Sequence, residues 1–112
     1  MEAKAISKYQ RISASKARLV ANEIKGYPFP EAVDALKAIP RKASQLILKC
    51  LYSAGANAKY QKPDVQDNDL YIKKIAIEEG PTMKRFRARA RGRASRIRKR
   101  TSSIVIVLSN DN

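Results

Sequence analysis

Seventeen consecutive residues, Lys84 to Arg100 (KRFRARARGRASRIRKR), carry ten lysines and arginines and not one acid. Such a stretch cannot be folded into a core, because each buried charge would need a partner that the stretch does not supply. It must lie outside the apolar part of the molecule, and its self-repulsion must be relieved from elsewhere. The run supplies ten of the chain's fourteen net positive charges, so the remaining residues are only mildly basic. The charge is a localised device. The densest natural counterpart to it is the phosphate backbone of a nucleic acid.

With 112 residues, 44% of them hydrophobic, the chain is long enough for one core and too short for two. Residues 1–112 therefore read as a single domain. Its globular body spans 1–80 and 101–112, and an extended basic arm spans 81–100. Cys50 stands alone, which excludes an internal disulfide and a multi-cysteine metal site; among its apolar neighbours it reads as a small buried hydrophobe. Histidine is absent, removing the commonest general base and zinc ligand. The acidic residues are scattered, apart from Asp64, Asp67 and Asp69 in one loop. No catalytic constellation is visible, so no enzyme, cofactor, metal or small-molecule substrate is expected. No stretch approaches the roughly 20 apolar residues that span a bilayer, and the first ten residues hold no signal-peptide core. A cytoplasmic protein without membrane contact is expected.

The body alternates between two periods. Residues 2–12 alternate loosely, as a strand would. Ser13 or Ser15 offers an N-cap to a helix whose apolar face is Ala17, Val20, Ala21 and Ile24, and Gly26 ends it. Tyr27-Pro28-Phe29-Pro30 is a stiff connector, with Pro30 suited to the first turn of a second helix striped by Val33, Leu36 and Ile39. Pro40 interrupts it and precedes a third helix, in which Ala43, Leu46, Ile47, Cys50, Leu51, Ala54 and Ala58 keep the 3.6-residue period. Small residues at 54, 56 and 58 imply close packing. Residues 61–69 read as a loop, and Leu70–Ile77 and Ile104–Leu108 as strands that bracket the basic run.

Within the run, Arg85, Arg87, Arg89, Arg91 and Arg93 recur at every second position, one face of an extended strand, with Phe86, Ala88 and Ala90 between them. Past Gly92 the parity changes, and Arg96, Arg98 and Arg100 share a face around Ile97. A ribbon turning at Gly92 accounts for this, each arm reaching about 30 Å at roughly 3.3 Å per residue. Arg85, Arg89, Arg93, Arg96 and Arg100 also form a helical stripe, so the local sequence leaves both geometries open. Neither supplies a core, and the arm is expected to stay unordered until RNA packs on it. Arginine outnumbers lysine eight to two in the run, which favours RNA: guanidinium forks grip phosphate and stack on exposed bases. Arg11, Lys16 and Arg18, around the start of the first helix, read equally as further phosphate contacts and as ordinary surface charge. On composition alone, a free-standing nucleic-acid-binding protein fits as well as a component of a larger particle.

The segments Ser13-Ala14-Ser15-Lys16-Ala17-Arg18-Leu19-Val20, Glu79-Gly80-Pro81-Thr82-Met83-Lys84-Arg85, Ala90-Arg91-Gly92-Arg93-Ala94 and Arg98-Lys99-Arg100-Thr101-Ser102 narrow that choice. The chain resembles the bacterial type of the L-twenty-two family of large-ribosomal-subunit proteins over essentially its whole length. The resemblance implies an α+β fold, three helices packed on a small antiparallel sheet, with a long protruding basic β-hairpin. It also implies a structural role in the large ribosomal subunit, in contact with its ribosomal RNA, with neighbouring ribosomal proteins and with the nascent polypeptide. In that family the hairpin threads through RNA and its tip lines the exit tunnel. The expected RNA-binding set is Lys84, Arg85, Arg87, Arg89, Arg91, Arg93, Arg96, Arg98, Lys99 and Arg100, read from the basic run itself, with Arg11, Lys16 and Arg18 on the body from the cluster at the first helix. The tip falls at Ala90, Arg91, Gly92, Arg93 and Ala94, and Met83, Lys84 and Arg85 match the segment where alterations give macrolide resistance. Two departures are present: Ser103 where many members carry histidine, and Phe86-Arg87 where some carry an aliphatic, proline-containing pair.

Overall fold

The computed structural model describes residues 1–79, 83–88, 94–99 and 101–110. Their order is β1 (Glu2–Gln10), α1 (Ala14–Ile24), α2 (Phe29–Ala38), α3 (Lys42–Gln61), a short 3-10 turn (Asp67–Asp69), β2 (Tyr71–Glu79), β3 (Met83–Ala88), β4 (Ala94–Lys99) and β5 (Ser102–Ser109). The expected α+β class is found. β1, β5 and β2 form an antiparallel sheet with β5 at its centre, and the helices cover one face; β3 and β4 pair with each other as a separate two-stranded ribbon.

Local chemistry explains the helix boundaries. The Ser13 hydroxyl accepts the Lys16 N–H at 3.3 Å and opens α1, whose buried residues are Ala14, Ala17, Val20, Ala21 and Ile24. Gly26, just beyond the end of α1, has φ +83°, a value that favours glycine. The proline-bounded connector is stitched to the start of β2: Phe29 N–H donates to Leu70 O at 2.8 Å, and Ile72 N–H to Tyr27 O at 2.9 Å. Pro30 sits in the first turn of α2, where its missing N–H costs nothing. In α3 the expected stripe is buried, except that Leu46 is half-buried, and Gly55 joins it.

The core forms where that stripe meets the sheet. Ile104, Ile106 and Leu108 of β5 are fully buried. They stand opposite Ser7, Ala5 and Ala3 on β1, and opposite Ile77, Ile75 and Ile72 on β2. The small side chains of β1 let α3 come close, and the Cys50 thiol lies 3.7 Å from both Ala5 O and Ile104 O. The expected strand at 2–12 is cut short at Gln10. There the pairing slips between Ser7 and Gln10, and Tyr9 takes a φ of +59°, a local kink that ends regular pairing.

Two tests follow from this core. A Cβ at Gly55 would stand 2.9 Å from Cε2 and Cζ of the buried Phe29 ring, tying α3 to the start of α2. Gly55→Ala gains about 1 kcal/mol of helix propensity, but overpacking costs more. A net loss of about 1–2 kcal/mol is expected in urea unfolding, and a stabilised variant would show that the ring yields freely. Burial pushes the Cys50 thiol up from an ordinary 9.0 to about 11, against a smaller lowering by a backbone hydrogen bond from Ser7. The folded state therefore holds its proton to higher pH than the unfolded chain. The stabilisation is complete below pH 9 and is lost as pH rises toward 11, at roughly 1.4 kcal/mol per unit. Unfolding free energies measured from pH 8 to 11 should fall by about 2 kcal/mol more in the wild type than in Cys50→Ala; parallel curves would contradict it.

Candidate nucleic-acid interface

The arm leaves the body from the end of β2 and returns at the start of β5, two neighbouring strands at the same end of the sheet. Its described parts are strands, so the ribbon is the geometry adopted by 83–88 and 94–99, and the helical stripe does not form there. The pairing runs Met83 with Lys99, Lys84 with Arg98, Arg85 with Ile97, Phe86 with Arg96, Arg87 with Ser95 and Ala88 with Ala94. Directly paired positions share a face. Positions 85, 87 and 99 therefore lie on one face, and positions 84, 96 and 98 on the other, giving three basic positions to each. Sequence parity within each strand does not reveal this two-sidedness, because it depends on the register between strands. Arg89, Arg91, Arg93 and Arg100, with the expected tip residues Ala90 and Gly92, lie outside the described residues; Ala94 opens β4.

On the body, the three cations singled out from sequence divide. Arg18 donates from Nη2 to Ile77 O at 2.9 Å, bridging α1 to the last part of β2. It thus braces the root of the arm and still has guanidinium donors to offer. Arg11 and Lys16 line a cleft of about 500 Å³ together with Ile12, Ser13, Arg41, Lys42 and Ala43. The cleft lies close to the arm's root, since the Ser102 hydroxyl at the start of β5 donates to Ile12 O at 2.9 Å.

Arg41 and Lys42 escape a reading by sequence. They stand thirty residues beyond Arg11 and look like ordinary charges ahead of a helix; only the packing of α3 beside α1 brings them in. Ser103, where the family often has histidine, has a structural use here: its hydroxyl accepts the Tyr9 N–H at 3.4 Å, at the kink in β1.

Among the described residues no cluster of three or more metal-ligating side chains occurs. No described helix is long and apolar enough to cross a membrane.

A two-stranded ribbon has no core of its own and is marginal in water. Hydrogen exchange of the RNA-free chain should find the amides of β3 and β4 exchanging orders of magnitude faster than those of Ile104 and Ile106 in β5. Comparable protection would mean that contacts beyond the ribbon's own pairing stabilise it.

The family model described as ribosomal protein L22p/L17e matches residues 5–109 of the chain. Among curated proteins, the large ribosomal subunit protein uL22 of Leptospira biflexa serovar Patoc is 55% identical over 109 residues, covering 97% of this chain and 94% of the relative. Its namesake from Maridesulfovibrio salexigens is 53% identical over 108 residues, covering 96% and 97%. That from Halothermothrix orenii is 53% identical over 109 residues, covering 97% and 96%.

Proposed function

The chain belongs to the ribosomal protein L22p/L17e family, and from that premise we propose that its basic ribbon is the part that threads between segments of large-subunit ribosomal RNA. Members of the family are structural, non-catalytic constituents of the large ribosomal subunit, and this chain is one of them: a cytoplasmic ribonucleoprotein component associated with ribosomal RNA and with other ribosomal proteins. The free-standing nucleic-acid-binding module that composition alone leaves open is set aside by that membership.

What carries the proposal is the register of β3 with β4, which gives each face of the ribbon three basic positions. A ribbon charged on one face would lie on RNA. One charged on both faces is suited to running between RNA segments, where phosphates approach from two sides and would otherwise repel. In this role Lys84, Arg85, Arg87, Arg96, Arg98 and Lys99 neutralise phosphates along the shaft, and Arg89, Arg91, Arg93 and Arg100 extend the series. Ala90 to Ala94 form the tip at the exit tunnel, where Arg91 and Arg93 meet the nascent polypeptide. Met83, Lys84 and Arg85 form the segment whose alteration reshapes the tunnel wall and so changes macrolide sensitivity. The globular body, 1–80 with 101–112, holds the arm's two limbs together.

Sedimentation of a tagged copy from lysate through sucrose gradients tests this. Cofractionation with large subunits in equal stoichiometry, surviving a high-salt wash, is the expected result, because a threaded arm cannot dissociate by local exchange. Release into the light fractions at modest salt would mean a peripheral attachment and would overturn the threading.

A further inference from the structure

An arm that is to enter a gap between RNA segments has to point in one direction, and the ribbon has no core to hold that direction. The body supplies ties at the arm's root instead, and they come from one short segment, Tyr9 to Arg18. One limb leaves at Glu79, the last residue of β2, and the other returns at Ser102, the first of β5; these two residues are paired. Arg18 Nη2 donates to Ile77 O at 2.9 Å, just before the first limb departs. The buried Ser102 hydroxyl donates to Ile12 O at 2.9 Å, where the second limb arrives. The Ser103 hydroxyl accepts the Tyr9 N–H at 3.4 Å. Ser102 is also paired with Gln10 of β1, so it has a strand partner on both sides and a side-chain tie besides.

Two details mark these ties as more than ordinary packing. Arg18 stands on the exposed side of α1, where water is at hand, yet one of its donors is turned to a carbonyl of β2, an edge strand of the sheet. Tyr9 takes a φ of +59°, a strained value for a bulky residue that persists only where the surroundings fix it. The kink ends the regular pairing of β1 there, and beyond it Ile12 meets the Ser102 hydroxyl. We propose that residues Tyr9 to Arg18 form a collar that fixes the direction in which the arm leaves the body, with Arg18 and Ser102 as its positioning residues. RNA then meets limbs that already point one way, and the fraction of chains able to enter is raised before any phosphate is touched. The proposal rests on the threading reading above and adds to it how the arm is aimed. It gives Arg18 a task on β2 in place of the phosphate contact that its charge suggests.

The test measures binding of full-length chains to large-subunit ribosomal RNA across a salt series. Arg18→Met removes the tie to β2, and Ser102→Ala removes the tie to Ile12 with no change of charge. Both should bind roughly tenfold more weakly, because a smaller fraction of arms is correctly directed, and both should keep the wild-type slope of log K against log salt. Gly55→Ala, which disturbs the contact of α3 with Phe29 and leaves the collar alone, should bind like the wild type under conditions where all are folded.

A phosphate contact by Arg18 predicts otherwise: a slope shallower by about 0.7 to 0.9 in Arg18→Met, and no loss in Ser102→Ala. That outcome would overturn the proposal, as would an equal loss in Gly55→Ala, which would trace the effect to general stability. A wild type that does not bind the RNA at all would sink the threading reading, and the aiming with it. Backbone relaxation of isotope-labelled, RNA-free wild type gives a check that needs no variant to fold. The Glu79 and Ser102 amides should have order parameters of about 0.85, as rigid backbone does; values below about 0.6 would mean that the limbs leave in no fixed direction, and would reject the collar.

Discussion

Everything in this molecule depends on how β5 is held. It is the central strand of the sheet, paired on both edges, and its residues Ile104, Ile106 and Leu108 are the floor on which the helices pack. It is also the limb by which a ten-charge arm returns to the body. A stretch that cannot contribute to a core is thereby attached to the most deeply buried strand. Burial on one side supplies the free energy that the ribbon lacks on the other. The small residues of β1 and the fit of Gly55 against Phe29 serve the same end, bringing α3 and α2 close over that strand.

The proposed threading calls on charge geometry and on no reactive group. The Cys50 thiol, in the core, is 3% exposed and held in its protonated form. Cations, by contrast, stand at the arm's root as well as along it: Arg18 braces β2, and the cleft of α1 and α3 opens beside the start of β5. The body is therefore more than a plug from which the arm projects.

Much of this was legible in the sequence, and the reasons differ by element. The α3 stripe and the run Ile104–Leu108 are visible because burial imposes a period or an unbroken apolar string on local sequence. Ser13 is legible because a capping hydroxyl has to stand just ahead of its helix. The kink at Tyr9 is not, since it arises where β1 loses step with β5 and the residue itself is not one that usually takes positive φ. The two-sided ribbon depends on a register between strands that neither strand encodes alone. Arg41 and Lys42 are hidden for the same reason, as their meaning comes from the distance to Arg11 in space and not along the chain. The family resemblance reached the role directly, through the segment from Ser13 to Val20 on the body as well as through residues at the arm's root and turn.

One feature of the topology bears on how the arm withstands force. Both of its limbs leave the same end of the sheet, one from β2 and one from β5, which are themselves neighbours. Tension along the ribbon therefore pulls the two strands in the same direction, with no tendency to peel one from the other. The load falls lengthwise on the β1–β5 ladder and on the α1–β2 junction held by Arg18, so that many hydrogen bonds resist in parallel and must fail together. Strands loaded in this way act as a shear joint instead of a zipper, and the arm is rooted to bear traction along its own axis.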